Sequence, residues 1–188
     1  MTIKLTTPAA VAAALAAMLV SAPAAAADYA QAPGSTLAFA SRYDGELFTG
    51  RFGDFDTKLS FDPARPEAGR LDVSIGLASA DTGNADRDST LKTADFFDIA
   101  RFARARYSAS GFRRLADGHY AADGTLELRG VSKPVTLTFE WKDGAQPVLD
   151  GKAVVKRLDF GVGGGDWADT GAIPDEVNIS TRVLLKAL

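Results

Sequence analysis

Val135-Thr136-Leu137-Thr138-Phe139-Glu140-Trp141 is apolar at every second position and polar between. A strand with that period buries one face and leaves the other in water, as in an antiparallel sheet or barrel. The period recurs at Leu71, Val73, Ile75 and Leu77, and again at Val177, Ile179, Thr181, Val183 and Leu185. Shorter runs over residues 36–40, 46–52, 55–61, 105–112, 119–128 and 152–157 share it. Asp44-Gly45, Asp117-Gly118, Asp123-Gly124, Asp143-Gly144 and Asp150-Gly151 supply turn signals between them. Gly124 also fits the interior of a strand, where glycine marks a bulge or a close approach. At Gly53-Asp54 the apolar parity switches from Phe48 and Phe52 to Phe55, Leu59 and Phe61. Such a switch predicts a bulge or sharp bend. About eight strands with few helices suit an up-and-down barrel or a sandwich. Residues 84–98 break the pattern and predict a short helical segment ending at Phe96-Phe97.

The N-terminus reads as an export signal. Lys4 precedes an apolar run over residues 9–20, then Pro23 and the alanines 24–27. Ala25 and Ala27 fit the A-x-A pattern that places cleavage before Asp28. The apolar run is shorter than the ~20 residues that cross a bilayer. Residues 28–188 are then the working domain, and the expected location is the periplasm. Removing residues 1–27 takes away one Lys and no acid, leaving 20 basic against 24 acidic residues, a charge of −4. That balance, with no basic block, argues against nucleic acid as a partner. The chain has no cysteine, which excludes disulfides, thiolate chemistry and a lipid-modified cysteine, and disfavours soft metal sites.

The polar inventory proposes no reaction. His119 is the only histidine and sits at the Asp117-Gly118 turn, without partners for a zinc site or a Ser–His triad. Asp86/Asp88 and Asp95/Asp98 have the spacing of capping and loop acids and lack the EF-hand pattern. The glycine-rich stretch 161–165 lacks the Lys-Ser/Thr of a phosphate loop and is followed by no helical pattern. The expected protein is therefore not an enzyme, and it needs no metal or cofactor.

Several segments, taken in order, resemble the YceI-like family of exported, lipocalin-like polyisoprenoid-binding proteins. They are residues 35–39, Phe52, Phe61-Asp62-Pro63, the stretch 78–83, Arg87-Asp88, Leu91 and Asp95-Phe96-Phe97-Asp98. The stretches 124–135 and 157–161 complete the set, which spans nearly all of residues 28–188. The resemblance implies an all-β fold: an extended eight-stranded antiparallel barrel with one short helical segment near one opening. It also implies a bound polyisoprenoid or isoprenoid quinone inside the barrel. Many relatives carry a histidine after the first-strand Phe, where this chain has Ser41-Arg42-Tyr43-Asp44-Gly45-Glu46. In this it looks more like the subgroup found with cytochrome b561-type membrane proteins.

An apolar chain needs length and an apolar lining more than directional contacts, and each buried CH₂ contributes roughly 0.8 kcal/mol. Strand parity and aromatic character propose Phe39, Phe52, Phe61, Ile75, Phe97 and Phe102 as lining. Tyr107, Phe112, Leu126, Leu137, Phe139 and Trp141 complete that set, each equally suited to a packed core. Arg87 and Trp167 are candidates for the mouth. The competing reading is a filled barrel acting as a structural or interaction module beside a membrane partner. Transient membrane contact and a homodimer are further expectations at the level of the family.

Overall fold

The computed structural model describes residues 26–188, so the expected export signal lies outside the described residues except for its last two. The strands are β1 (Ala27–Gln31), β2 (Thr36–Tyr43), β3 (Glu46–Phe52), β4 (Phe55–Phe61), β5 (Arg70–Gly76) and β6 (Ala80–Asp81). The helix α1 (Ala85–Leu91) follows, then β7 (Arg104–Ser110), β8 (Arg113–Arg114), β9 (Tyr120–Leu128), β10 (Val131–Lys142), β11 (Val148–Lys156) and β12 (Glu176–Ala187). Several of these are halves of one stave. β1 and β2 both pair with β12, at Tyr29↔Ala187 and Thr36↔Arg182. β3 and β4 pair in turn with β2 and β1, through Ser41↔Phe48 and Tyr29↔Leu59. β5 and β6 form the third stave, β7 and β8 the fourth, and β9 to β12 the rest. Each stave is antiparallel to the next, and the eighth returns to the first: a closed eight-stranded up-and-down barrel.

The staves break where the sequence changes parity. Gly53-Asp54 separates β3 from β4, and the bend lets Phe52 and then Thr57, Leu59 and Phe61 face inward. Asp44-Gly45 and Arg129-Gly130 close two hairpins with both residues at positive φ, as a type I′ turn requires. Asp150-Gly151 is not a turn. It lies inside β11, where Gly151 faces Thr181 and Phe139 on the flanking strands and Leu137 packs over it. Gly124 is also inside a strand, and a Cβ there would sit 2.5 Å from Tyr107 Cζ. The missing side chain lets the tyrosine ring cross β9, and its hydroxyl donates to Ala122 O at 2.8 Å or Val135 O at 3.1 Å.

Both long connections leave the barrel at the same end. Residues 82–103 carry α1, whose Asn84 side chain accepts from Arg87 N at 3.0 Å as an N-cap. Residues 157–175 carry the glycine-rich stretch and two short 3₁₀ turns, Arg157–Phe160 and Gly165–Trp167. The Asp44-Gly45 and Arg129-Gly130 hairpins lie at that end too, Asp44 N donating to Ala172 O at 3.0 Å, while the other end holds the connections 62–69, 111–119 and 143–147 and the aromatic core.

Candidate functional site

Inside the barrel lies a cavity of about 210 Å³. Its floor is set by Leu37, Thr57, Leu71, Leu149 and Val183. Its walls rise along alternate residues of the staves, for example Thr181, Ile179 and Val177 of β12 and Ala153 and Val155 of β11. From Val183 to Val177 that is about 20 Å measured along the strand. The roof is formed by Leu91, Phe96, Phe97, Val162 and Ile173 from the two long connections.

The floor rests on a plug of rings. Phe61 contacts Phe112, Tyr120, Phe139 and Trp141 at centroid distances of 5.0 to 5.7 Å, and Tyr29 packs on Trp141 at 5.4 Å. These side chains come from the ends of strands away from the roof, where the barrel is filled.

Of the twelve residues proposed as lining, seven border the cavity: Phe39, Phe52, Ile75, Phe97, Tyr107, Leu126 and Leu137. Phe61, Phe112, Phe139 and Trp141 point inward as their parity requires, but they form the plug beneath the cavity. Phe102 packs outside the cavity, against the Gly130 turn and under the Arg101 guanidinium, 5.0 Å from its ring centroid. The mouth candidates stand one layer back. Arg87 lies over the ring of Phe48, 4.3 Å from its centroid, and Trp167 packs on Phe96 at 5.4 Å. Phe48 and Phe96 are the residues that border the cavity there.

Sequence reasoning missed the polar members of the lining. Arg157 is 4 % exposed and borders the cavity under the roof. It donates to backbone carbonyls only: Nε to Pro174 O (3.2 Å), Nη1 to Val162 O (3.0 Å) and Gly163 O, and Nη2 to Trp167 O (2.9 Å) and Ile173 O (2.8 Å). Burial lowers its pKa, and the charge of Asp175 partly offsets this. Arg129 ties the other connection in, donating to Ala94 O (2.9 Å), Asp95 O (3.2 Å) and Gly161 O. Gly163 N also donates to Asp95 O at 2.7 Å. Two guanidinium groups and one backbone bond thus hold the roof in place. Ser41, near the roof, and Thr57, at the floor, are 8 % and 1 % exposed, and neither hydroxyl has a hydrogen-bond partner among the described residues.

Comparison with known proteins agrees with this architecture. A sequence model of the YceI-like domain matches residues 30–185. The chain belongs to the YceI-like family. Relatives with no more specific name than UPF0312 protein include one from Azotobacter vinelandii, 33 % identical over 141 residues and covering 71 % of each chain. One from Pseudomonas fluorescens is 39 % identical over 127 residues, covering 61 % of this chain and 64 % of the relative. Among solved structures, BcnA of Burkholderia cenocepacia superposes with a TM-score of 0.76 at 28 % identity, over 80 % of this chain and 95 % of that one. The polyisoprenoid binding domain from Saccharophagus degradans shares the fold, with a TM-score of 0.66 at 20 % identity over 87 % and 99 % of the two chains.

Burial shifts the titratable groups that border the cavity of this YceI-like barrel. Burial pushes the Tyr107 phenol up to about 12. A pKa raised above its unfolded value near 10 means the neutral phenol stabilises the fold fully below that value. The contribution is lost as pH rises from about 10 to about 12. Thermal unfolding followed by circular dichroism should therefore show Tm falling over that window in the wild type and less steeply in Tyr107→Phe. An identical alkaline slope in the two would place the phenol in water.

Proposed function

We propose that this chain is an exported binding protein that carries a long apolar ligand of isoprenoid type, a polyisoprenoid or an isoprenoid quinone, in the periplasm. One observation carries the reading: a cavity that runs from the roof to the aromatic plug and is walled almost wholly by Phe, Leu, Ile and Val side chains. Among the described residues no acid or histidine borders it, so they offer binding surface and no group suited to proton transfer at neutral pH. A chain filling it gains from area, and the narrow bore selects slender over bulky ligands. The family resemblance supports the isoprenoid class, and the N-terminal pattern supports export.

The test is organic extraction of the protein purified from cells that grew with their own membranes, followed by mass spectrometry. A polyisoprenoid-chain lipid near one per protein is the expected result. Ala153→Trp, which sets an indole across the bore, should fold and yield little lipid. A wild-type extract without lipid would overturn the carrier and favour the filled interaction module beside a membrane partner.

A further inference from the structure

The barrel wall lacks a rung at its roof end. β3 pairs with β2 from Ala38↔Arg51 up to Tyr43↔Glu46, but on its other side only Arg51↔Asp81 and Phe52↔Ala80 are paired. Among the described residues no strand flanks residues 46–50 on that side, and the chain leaves β6 for α1. α1 stands in the gap, with the Arg87 guanidinium 4.3 Å from the centroid of the Phe48 ring. Among the described residues no hydrogen bond or ion pair joins residues 82–103 to residues 41–52. Side chains alone close this seam: Phe48 under Arg87, and Phe52 against Phe97 at 6.0 Å. Phe48, Phe52 and Phe97 all border the cavity, so its apolar space lies directly behind them.

The other junctions of the roof carry hydrogen bonds. Arg129 and Gly163 N join residues 94–95 to 161–163, Arg157 holds residues 162–174, and Asp44 N donates to Ala172 O. Opening any of these breaks backbone or charged hydrogen bonds. Opening the seam breaks one cation–π contact and one ring pair, which are weaker. The opposite end of the barrel is filled by the aromatic plug. Outside the seam, Tyr43 and Leu47 of the β2–β3 hairpin are 45 % and 67 % exposed, which extends apolar surface beyond Phe48. We infer that this seam is the portal through which the lipid chain enters and leaves, and that Arg87 latches it. The inference rests on the lipid-binding reading and adds the route. Arg87 does not itself border the cavity, so it touches no seated chain and acts on passage alone.

The experiment mixes protein loaded with geranylgeraniol and excess phosphatidylcholine vesicles, and follows the lipid left on the protein by mass spectrometry. Loading delipidated protein from vesicles that carry geranylgeraniol gives the entry rate. Arg87→Ala should speed entry and exit together by about threefold, the effect of one exposed cation–π contact, and leave the affinity unchanged. The chain has no cysteine, so Leu47→Cys and Arg87→Cys in one protein can be joined across the seam by a flexible bis-maleimide. That bridge should slow exit at least tenfold relative to the same variant left unlinked. A bridge between Asp72→Cys and Arg106→Cys, an ion pair on the outer wall, should leave exit unchanged. Exit from the linked seam at the unlinked rate would overturn the portal while leaving the lipid-binding reading intact. Unchanged rates in Arg87→Ala, or a weakened affinity at an unchanged entry rate, would overturn the latch. Failure of the wild type to load geranylgeraniol would overturn the lipid-binding reading itself.

Discussion

Replacing Arg157 with methionine should lower the stability of the barrel by about 3 kcal/mol and release the roof of the cavity. Hydrogen bonds from a charged donor contribute roughly 1.5–3 kcal/mol each, and Arg157 serves the carbonyls of Val162, Gly163, Trp167, Ile173 and Pro174. The sum is not the expected loss, because water can reach carbonyls in a connection freed from the barrel. At about 2–4 °C per kcal/mol for a domain of this size, Tm should fall by roughly 10 °C. Lysine keeps the charge but presents a point donor where a planar fork reaches five oxygens, so Arg157→Lys should recover less than half of the loss. Amide exchange separates this effect from general weakening. Protection should drop first in residues 161–174 and at Gly163 N, while β9 and β10 stay protected. A uniform loss across all strands would show that Arg157 supports the barrel wall rather than its roof. Bound lipid should also exchange faster in the methionine variant, since Val162 and Ile173 form part of the cover.

The staves were legible because their chemistry repeats every two residues. β3 and β4 match the runs 46–52 and 55–61 in the sequence, and the parity switch between them marks the bend. β1 was not legible, since Asp28-Tyr29-Ala30-Gln31 has too few apolar residues to show a period. It is held by pairing on both sides, to β4 and β12, which is information about the whole barrel. Asp150-Gly151 misled for the complementary reason. Asp150 is fixed on the outer face by Lys142 and Arg182 at 2.8 and 2.9 Å, and Gly151 makes room for Leu137. Parity marks two faces of a strand, but it carries no height along the barrel axis. Phe39 and Phe61 are equally inward and equally aromatic, yet one borders the cavity and the other lies in the plug. Height follows from which turn each residue is near and from how the staves stagger. Arg157 and Thr57 escaped notice because polar residues on an inward parity look like noise until the register shows their neighbours.

The plug and the cavity make opposite demands on mutation, and Phe139 tests which one it serves. Its ring, 1 % exposed, stacks on Tyr120 at 5.4 Å and meets Phe61 and Phe112 edge-on at 5.6 Å each. Phe139→Ala removes those contacts and leaves a void that rigid neighbouring strands cannot close, so the expected cost is 3–5 kcal/mol. Tm should fall by about 10 °C or more. Because the void opens below the floor, the lengthened cavity should still load lipid at the wild-type ratio once the protein is folded. Phe139→Asp should not fold, since an unpaired carboxylate at that depth has no compensating donor. Phe61→Ala belongs to the same cluster, and the double variant should lose less than the sum of the two singles by at least 0.5 kcal/mol, a coupling typical of residues in contact. Loss of lipid from Phe139→Ala at unchanged Tm would reverse the assignment and place the ring in the ligand's wall.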